Sequence, residues 1–304
     1  MVLLQAQTAA TTSSGHLKQG EAHLRNREPA AAIAEFKRAI ALQPGSAVAH
    51  LLLGQAYLTT GRAEWIAEAK AEFQQARALD PRLALAGFYI AKIDLELGRL
   101  EAADRELSRG LELSPDAPHL LALLAEVRRR KGKPEEAVAL ASKAVAAADA
   151  ANAIPVLYFR ARAYWDLHDE ARALADLQRA MASPFVTPEM LILAGTIHLD
   201  GGRWAAAEST LRKVPVSSVE ARVRLAQALR RQGRLAEALA ELDQAERAPQ
   251  LSSEYFQKLM ADASCERGLI LEARGGKGAR AAYEKALEQD PEHVEARRRL
   301  AALQ

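Results

Sequence analysis

The residues of this 304-residue chain best able to do chemistry are its seven histidines and its one cysteine. No two histidines have the H-x-x-x-H or H-E-x-x-H spacing that places them on one helix face around a metal ion, so we expect them on the surface or lining a groove. Cys265 has no second cysteine with which to form an intrachain disulfide or a thiolate metal cluster, and we expect it to be a packing residue. These patterns predict no metal site.

A Gly-Lys pair at Gly276 and Lys277 could belong to a phosphate-binding loop. Such a loop needs a glycine five residues earlier and a serine or threonine directly afterwards, but Leu271 and Gly278 occupy these positions. No serine has the Gly-x-Ser-x-Gly setting of a nucleophile elbow. The sequence therefore predicts a non-enzymatic protein without a cofactor, in which the Gly275–Gly278 run is a turn between helices.

One cluster of side chains could bind an anion. The basic run Arg128–Lys131, together with Arg162, Tyr158 and Trp165, combines the residue types that dominate protein-binding hot spots. A competing interpretation is that the run ends a helix, where cations complement the helix dipole. Successive residues also spread around a helix, so only one or two of the four can face a groove.

A sequence repeat must position these residues. A small residue with similar neighbours returns at intervals of 31 to 41 residues, most often 34. The positions are Ala32, Ala69, Ala103, Ala137, Ala173, Ala207, Ala238 and Ala279. A period near 34 is typical of stacked two-helix units. Such arrays build surfaces that bind other proteins and seldom carry catalytic centres.

Each repeat follows one pattern. Helix A carries a small residue with a large residue three positions later, a turn glycine follows, and helix B carries two alanines around a bulky residue before a closing proline. In the second repeat these residues are Gly54, Tyr57, Gly61, Ala69, Phe73, Ala76 and Pro81. Small residues allow the two helices to approach, and the bulky residue fills the remaining space. The turn glycines are expected to take the left-handed backbone conformation: Gly61, Gly98, Gly132, Gly202 and Gly233.

The pattern resembles the tetratricopeptide repeat family, most clearly in the stretches 53–57 and 281–291. The resemblance covers about residues 15–304. It implies an all-α, right-handed superhelical solenoid of about eight helix-turn-helix units whose A helices line the concave face. We place a disordered tail at 1–14 and a solvating helix at 292–304. The repeats between them are assigned to 15–46, 47–83, 84–117, 118–152, 153–187, 188–217, 218–250 and 251–291. The alanine- and arginine-rich composition suggests a bacterial source.

Three departures from the period are expected to change the structure locally. Three extra residues around Trp65 lengthen the turn or helix of the second repeat, so that Trp65 closes an edge or projects outward. The long last interval predicts a longer A helix or a loop between Leu251 and Ala273. The proline-rich segment 183–188 predicts a stiff connector.

The resemblance implies that a partner peptide or helix binds along the A helices, without enzymatic activity. By register, the candidate groove residues are Gln55, Lys92, Glu126, Arg129, Arg130, Tyr158, Arg162, Trp165, Asp166, Gln227 and Arg230. The family's basic clamp for a C-terminal carboxylate is absent, because its positions carry Leu17, Glu21, Leu52, Leu85 and Tyr89. A cochaperone role that depends on this clamp is therefore not expected.

The overall composition limits the other functions. The formal net charge of +2 argues against a dedicated nucleic-acid binder, and no apolar run approaches the length of roughly 18 residues that spans a bilayer. The compartment stays open between the bacterial cytoplasm and, if an N-terminal signal has been removed, the periplasm. Beside the leading hypothesis of a protein-binding scaffold or adaptor, two alternatives stay open. One is a self-assembling structural or envelope-export component, and the other is the recognition part of a larger protein.

Overall fold

The computed structural model describes residues 12–149, 152–249 and 253–303. In these ranges the chain forms α-helices, one short 3-10 turn and no strand. It divides into two compact units, Met1–Ala163 and Tyr164–Gln304. The sequence predicted a disordered tail at 1–14, and its first eleven residues lie outside the described ranges. The prediction is wrong for the remaining three, because Thr12 caps a helix that begins at Ser13.

The first unit consists of helix hairpins in which an A helix packs against the following B helix. Odd-numbered helices are A helices and even-numbered helices are B helices. They are α1 (Ser13–Arg25), α2 (Pro29–Leu42), α3 (Ala47–Thr59), α4 (Ile66–Leu79), α5 (Ala84–Glu96), α6 (Leu100–Leu113), α7 (Pro118–Arg130), α8 (Pro134–Ala147) and α9 (Ala153–Asp166), of which α9 continues into the second unit. Each B helix from α2 to α6 also contacts the next A helix, and α5 contacts α7 directly.

The second unit continues the same alternation. Its helices are α10 (Glu170–Met181), α11 (Pro188–Asp200), α12 (Trp204–Leu211), α13 (Val219–Arg231), α14 (Leu235–Glu246), α15 (Glu254–Ala273), α16 (Ala279–Gln289) and α17 (Val294–Ala302). The A helices α11, α13 and α15 contact one another in turn, and α17 packs on α16. The all-α fold class predicted from the sequence is confirmed, and the molecule is a helical-repeat solenoid.

The helix ends follow from local sequence. Proline occupies the first position of α2, α7, α8 and α11, where its missing amide proton costs no intrahelical hydrogen bond. In front of the closing prolines, Asp80 accepts a hydrogen bond from the Arg82 amide at 3.0 Å, and Asp290 accepts one from the Glu292 amide at 3.1 Å. These side chains hold the tight turn from one repeat to the next.

The turns between A and B helices need a left-handed residue. All five predicted turn glycines have φ between +66° and +78°. At the same turn of two other repeats, Arg27 (φ 61°) and His168 (φ 56°) replace the glycine. A side chain at positive φ is strained because its Cβ lies close to the backbone carbonyl. The hairpin geometry is therefore imposed by the packing of the two helices even where the sequence lacks glycine.

Small and large residues meet inside the hairpins as the sequence pattern predicts. A Cβ atom added at Gly20 would lie 2.4 Å from the Phe36 ring, and one added at Gly54 would lie 2.7 Å from the Phe73 ring. In the second unit, the same substitution at Gly195 would meet Leu211 at 2.6 Å. These contacts leave no space for even one methyl group. The glycines therefore set how closely the two helices of a hairpin approach.

The three departures from the period have distinct structures. Ala63–Trp65 forms the 3-10 turn, and the Trp65 indole stacks on the Tyr57 ring with centroids 4.7 Å apart and an interplanar angle of 11°. The last A helix, α15, has 20 residues, so the long interval lengthens a helix. Between α10 and α11, residues 182–187 are turns and coil.

Candidate functional site

The candidate groove residues all lie on A helices. In the first unit Gln55 is on α3, Lys92 on α5, and Glu126, Arg129 and Arg130 on α7, while Tyr158 and Arg162 are on α9. Trp165 and Asp166 at the end of α9, and Gln227 and Arg230 on α13, belong to the second unit. All of these residues are on A helices, and their surroundings differ from one to the next.

Glu126 is the centre of the predicted basic cluster and is not available to a partner, since its side chain is 2% exposed. Arg129 donates to both of its carboxylate oxygens, at 2.9 and 3.0 Å. Arg130 Nε and Arg162 Nη1 donate to Oε1 at 2.8 and 3.1 Å. Arg130 also donates to the backbone carbonyl of Leu95 at 3.2 Å, so the cluster connects α5, α7 and α9.

Burial alone would raise the pKa of Glu126, but the hydrogen bonds and charges of Arg129, Arg162 and Arg130 outweigh it and hold that pKa below its ordinary value. The carboxylate is therefore ionised and serves as an internal counterion. Reversing the charge of the three arginines would surround a buried carboxylate with three others. Such a variant would measure stability and could not test binding.

The other two cations of the run point away from Glu126. Arg128 pairs with Asp104 on the neighbouring helix α6 at 2.9 Å, and Lys131 pairs with the same carboxylate at 2.6 Å. The basic run thus spreads around the end of α7, as expected for successive helical residues. Of this run, Arg129 and Arg130 lie on the side of α7 that faces the neighbouring A helices.

An apolar pocket of about 490 Å³ opens in the first unit among α5, α7, α8 and α9. Phe88, Leu123 and Phe159 line it, and the ring of His119 meets Phe88 edge-on with centroids 5.4 Å apart. The exposed Lys92 is at its margin. Its shape and lining suit apolar side chains of a partner. We call it the apolar pocket.

A second cavity, of about 720 Å³, lies within the second unit among α11, α12, α13, α15 and α17. Five arginines and four carboxylates line it. We call it the arginine pocket and define it by Trp204, Arg224, Gln227, Arg230 and Arg231. The two cavities therefore differ in chemistry, the first being apolar and the second charged.

Most charges of the arginine pocket are paired with each other. Arg230 donates to the buried Glu266, whose pKa is raised by burial in spite of this partner. On α17, Arg299 Nε pairs with Glu295 at 2.8 Å, and Arg298 pairs with the same carboxylate at 2.6 Å. The Arg230–Glu266 pair joins α13 to α15, and the two pairs with Glu295 lie within α17. The predicted residue Arg230 thus already has a partner inside the protein.

Gln55 and two of the histidines also have partners within the fold. Gln55 donates to Tyr89 Oη at 3.1 Å, which connects α3 and α5. His16 and His50, which were expected on the surface or in a groove, are partly exposed and each has a carboxylate neighbour. Each imidazole lies 2.6 Å from a carboxylate of its own hairpin, Glu35 and Glu72 respectively. Their repeat spacing could have indicated a shared contact between A and B helices.

Sequence reasoning missed Phe88, His119 and Phe159 of the apolar pocket, and Arg224 and Arg231 of the arginine pocket. Phe88, His119 and Phe159 look like core residues by type, because the sequence does not show where a cavity remains open. The signal available for Arg224 and Arg231 was their spacing of seven residues, which places both on one face of α13.

The described residues contain no group of three or more histidine, cysteine, aspartate or glutamate side chains placed to bind a metal ion. Over the same ranges, every helix is too short or too polar to cross a membrane.

The fold and its two grooved A-helix surfaces define a helical-repeat protein of the type that scaffolds protein interactions. The model of the tetratricopeptide repeat family matches residues 17–84, 88–153, 158–218 and 209–252, which is more than half of the chain. The chain therefore belongs to the tetratricopeptide repeat family. Members of this family are generally non-catalytic and bind protein partners. No curated protein matches the chain.

Solved structures with the same fold have low sequence identity. The Cut9–Hcn1 hetero-tetramer of the APC/C gives a TM-score of 0.69 at 14% identity, covering 96% of this chain and 56% of that chain. A monomeric mutant of IFIT1 with m7Gppp-AAAA gives 0.67 at 15% identity, covering 91% of this chain and 68% of that one. Pseudomonas aeruginosa pilF gives 0.56 at 19% identity, covering 69% of this chain and 91% of that one. This chain thus spans just over half of the Cut9–Hcn1 neighbour, and these similarities concern the fold alone.

Proposed function

We propose that this protein is a non-enzymatic scaffold or adaptor that holds an extended partner peptide against its A helices, with apolar side chains of the peptide in the apolar pocket. The observation that carries the proposal is the cavity of about 490 Å³ lined by Phe88, Leu123 and Phe159. An open apolar cavity leaves apolar surface exposed to water. Such cavities mark binding sites, because a ligand that fills one buries this surface.

The size and margin of the pocket favour a peptide. The cavity is too large for one side chain and suits two adjacent anchors, while the exposed Lys92 can pair with an acidic group beside them. Pro118 is the first residue of α7, and Pro155 lies in the first turn of α9. Both prolines restrict the backbone at the rim of the pocket. The pocket is therefore preformed, which lowers the entropic cost of binding.

A random peptide library displayed on phage and selected against the full chain tests this function. We expect enrichment of peptides with two large apolar residues. Ala147→Trp should weaken the binding of the enriched peptides at least about tenfold, because the exposed Ala147 lines the pocket and an indole there would fill it.

Ala146→Trp is the matched control, since Ala146 is exposed on the same helix and does not line the pocket. Its binding should equal that of the wild type. A library without enrichment, or enriched peptides that bind the Ala147→Trp variant unchanged, would contradict the proposal.

The sequence-based alternatives of self-assembly, envelope export and membership in a larger protein remain further proposals. IFIT1 with m7Gppp-AAAA shows that a similar fold can hold a nucleic acid. A near-neutral chain gives little support for that role here. Light scattering over a wide range of protein concentration tests self-assembly, and a constant monomer mass would exclude it.

A further inference from the structure

Two cations of the arginine pocket have no close ion pair. In the ranges 12–149, 152–249 and 253–303, no carboxylate oxygen lies within 4.0 Å of the Arg224 or Arg231 guanidinium, although paired charges surround both. Asp200 interacts with Arg224, and Glu266 with the exposed Arg231, only through charge at longer distance. Arg224 Nε is also buried without a hydrogen-bond acceptor. Buried donors are rarely left unpaired, so each such group calls for an explanation. The arrangement suggests that an anionic group from outside completes the pocket.

Arg231 is positioned to accept such a group. Its guanidinium lies over the Trp204 ring, with Cζ 5.4 Å from the ring centroid. A cation–π contact of this kind restrains a guanidinium and still allows its outer N–H groups to bind a carboxylate. The indole is thereby covered on this side, which makes it a poor platform for a nucleic-acid base.

The spacing of the two cations sets the form of the ligand. Arg224 and Arg231 both line the pocket from α13 and lie seven residues apart, which is about 10 Å along a helix at a rise of about 1.5 Å per residue. Two carboxylates can pair with the two guanidiniums separately, one with each. Acidic residues two positions apart in an extended peptide lie about 7 Å apart on one side of the chain, and their side chains cover the remaining distance.

We propose that the arginine pocket binds an acidic segment of an extended partner peptide, with one side-chain carboxylate on Arg224 and a second on Arg231. Gln227 lies between them in the same pocket, and its amide can both donate to and accept from the peptide backbone. The inference rests on the proposed scaffold function and specifies the chemistry of the partner.

The surrounding charges favour this ligand over a nucleic acid. Four carboxylates line the same cavity, among them Asp200 and Asp262. A phosphate backbone with one charge per nucleotide would have to pass these carboxylates, and like charges repel. A peptide can present two carboxylates to the arginines and neutral residues elsewhere. The pocket therefore suits a spaced acidic motif.

Fluorescence anisotropy of the full chain with a labelled, N-acetylated and C-amidated peptide that carries one Glu-Ala-Glu segment between neutral residues tests the proposal. We expect saturable binding that the double variant Arg224→Gln/Arg231→Gln weakens at least about tenfold, since a hydrogen bond to a charged group contributes about 1.5–3 kcal/mol. The matched control is the double variant Arg222→Gln/Arg267→Gln. Both arginines pair with carboxylates outside the pocket and neither lines it, so net charge falls equally and the pocket arginines are unchanged.

Three outcomes would overturn the proposal. One is the absence of saturable binding, and another is equal affinity of the pocket variant and the wild type. The third is equal or tighter binding of a competitor, either the glutamine analogue with a free C-terminus or a single-stranded oligonucleotide. If Ala147→Trp abolishes the library-selected binding while the pocket variant changes nothing, the scaffold function stands and the acidic site fails. If Ala147→Trp has no effect but the glutamate peptide binds as expected, only the apolar-pocket proposal fails.

Discussion

At the scale of single residues, the hairpins depend on a balance of side-chain volume. Gly20 and Gly54 face phenylalanine rings, whereas Ala91 packs in one core cluster with Leu107, and Ala125 shares another with a small residue of its B helix. Where helix A carries a glycine at this position, the facing residue of helix B has a ring or is a leucine. The interior is filled in either case, and neither member of a pair can change size alone.

Replacing Gly54 tests this balance. Gly54→Val should lower the free energy of unfolding by about 2 kcal/mol, because the new side chain would meet the Phe73 ring and overpack the hairpin. Gly45→Val is the control, since a Cβ at the exposed Gly45 meets nothing within 4 Å. Urea denaturation followed by circular dichroism measures both. A Gly54 variant as stable as the Gly45 variant would show that the hairpin can separate without cost.

The left-handed turn residues give a second residue-scale prediction. His168→Gly should raise the free energy of unfolding by up to about 1 kcal/mol, because a left-handed side chain costs roughly 1–2 kcal/mol and the added flexibility of the unfolded glycine offsets part of the gain. The reciprocal change, Gly132→Ala, should destabilise by about 1 kcal/mol. Thermal unfolding of both variants decides, and a shift of the same sign in both would reject the strain argument.

At the scale of helices, the Glu126 cluster joins A helices that the repeat pattern would bring together only through apolar contacts. The carboxylate is on α7, one guanidinium comes from α9, and Arg130 reaches the carbonyl of Leu95 on α5. A buried ion pair contributes little compared with a well-packed apolar core, but removing one member leaves an uncompensated charge. The cluster therefore fixes the relative rotation of these helices.

Glu126→Gln should lower the free energy of unfolding at neutral pH by about 3 kcal/mol, because three guanidiniums lose their common counterion. Glu136→Gln is the control, since this half-exposed carboxylate pairs with Arg128 and Lys133 at the surface, and its variant should be nearly as stable as the wild type. Urea denaturation of both variants gives the comparison.

The same variant makes a prediction about pH. The pKa of Glu126 is lowered in the folded protein, so its stabilising effect is complete above the unfolded value of 4.5 and is lost as the pH falls through the lower folded pKa. The difference in stability between wild type and Glu126→Gln should therefore be constant from neutral pH to about 5 and shrink in more acidic solution. A difference that grew on acidification would have the wrong sign.

Helix positions could be predicted from the sequence, whereas most side-chain partners could not. Small residues, turn glycines and closing prolines repeat with a fixed period, and each has a local physical role that does not depend on the rest of the fold. The partner of Glu126 depends on how far α9 rotates against α7, which no local pattern determines. The same reason explains why Arg230 looked available although it pairs with Glu266. That the other predicted groove residues bind a partner stays a prediction.

At the scale of the whole molecule, each repeat contacts mainly its neighbours along the chain. Damage in one repeat of such an array stays largely local, because few contacts carry it further. The last core cluster contains Cys265, Tyr283 and Ala296, with Leu300 of α17 packed against it. Burial raises the pKa of the Cys265 thiol to about 12, so its reactivity reports when this end opens.

Leu300→Ala should speed the reaction of Cys265 with a disulfide reagent at least about fivefold, since it removes part of the cover of the last cluster. The first unit should be unaffected, which the fluorescence of Trp65 can report in a variant that carries Trp165→Phe and Trp204→Phe. Equal destabilisation at both ends would show that the array unfolds as one cooperative body. Unchanged thiol reactivity would show that α17 does not cover the cysteine.

The paired glycines and rings also bear on how a chain of similar segments avoids joining the wrong ones during synthesis. An emerging A helix meets several B helices of nearly the same polarity, and apolar attraction alone hardly discriminates among them. Gly268 accommodates the Tyr283 ring, which would clash with the larger alanine carried by other A helices at this position, such as Ala226. The shapes of these side chains therefore favour the correct pairing of A and B helices, which the similar composition of the helices alone would not. A rearranged order of the B helices should leave composition and length unchanged and yet yield a chain prone to aggregate.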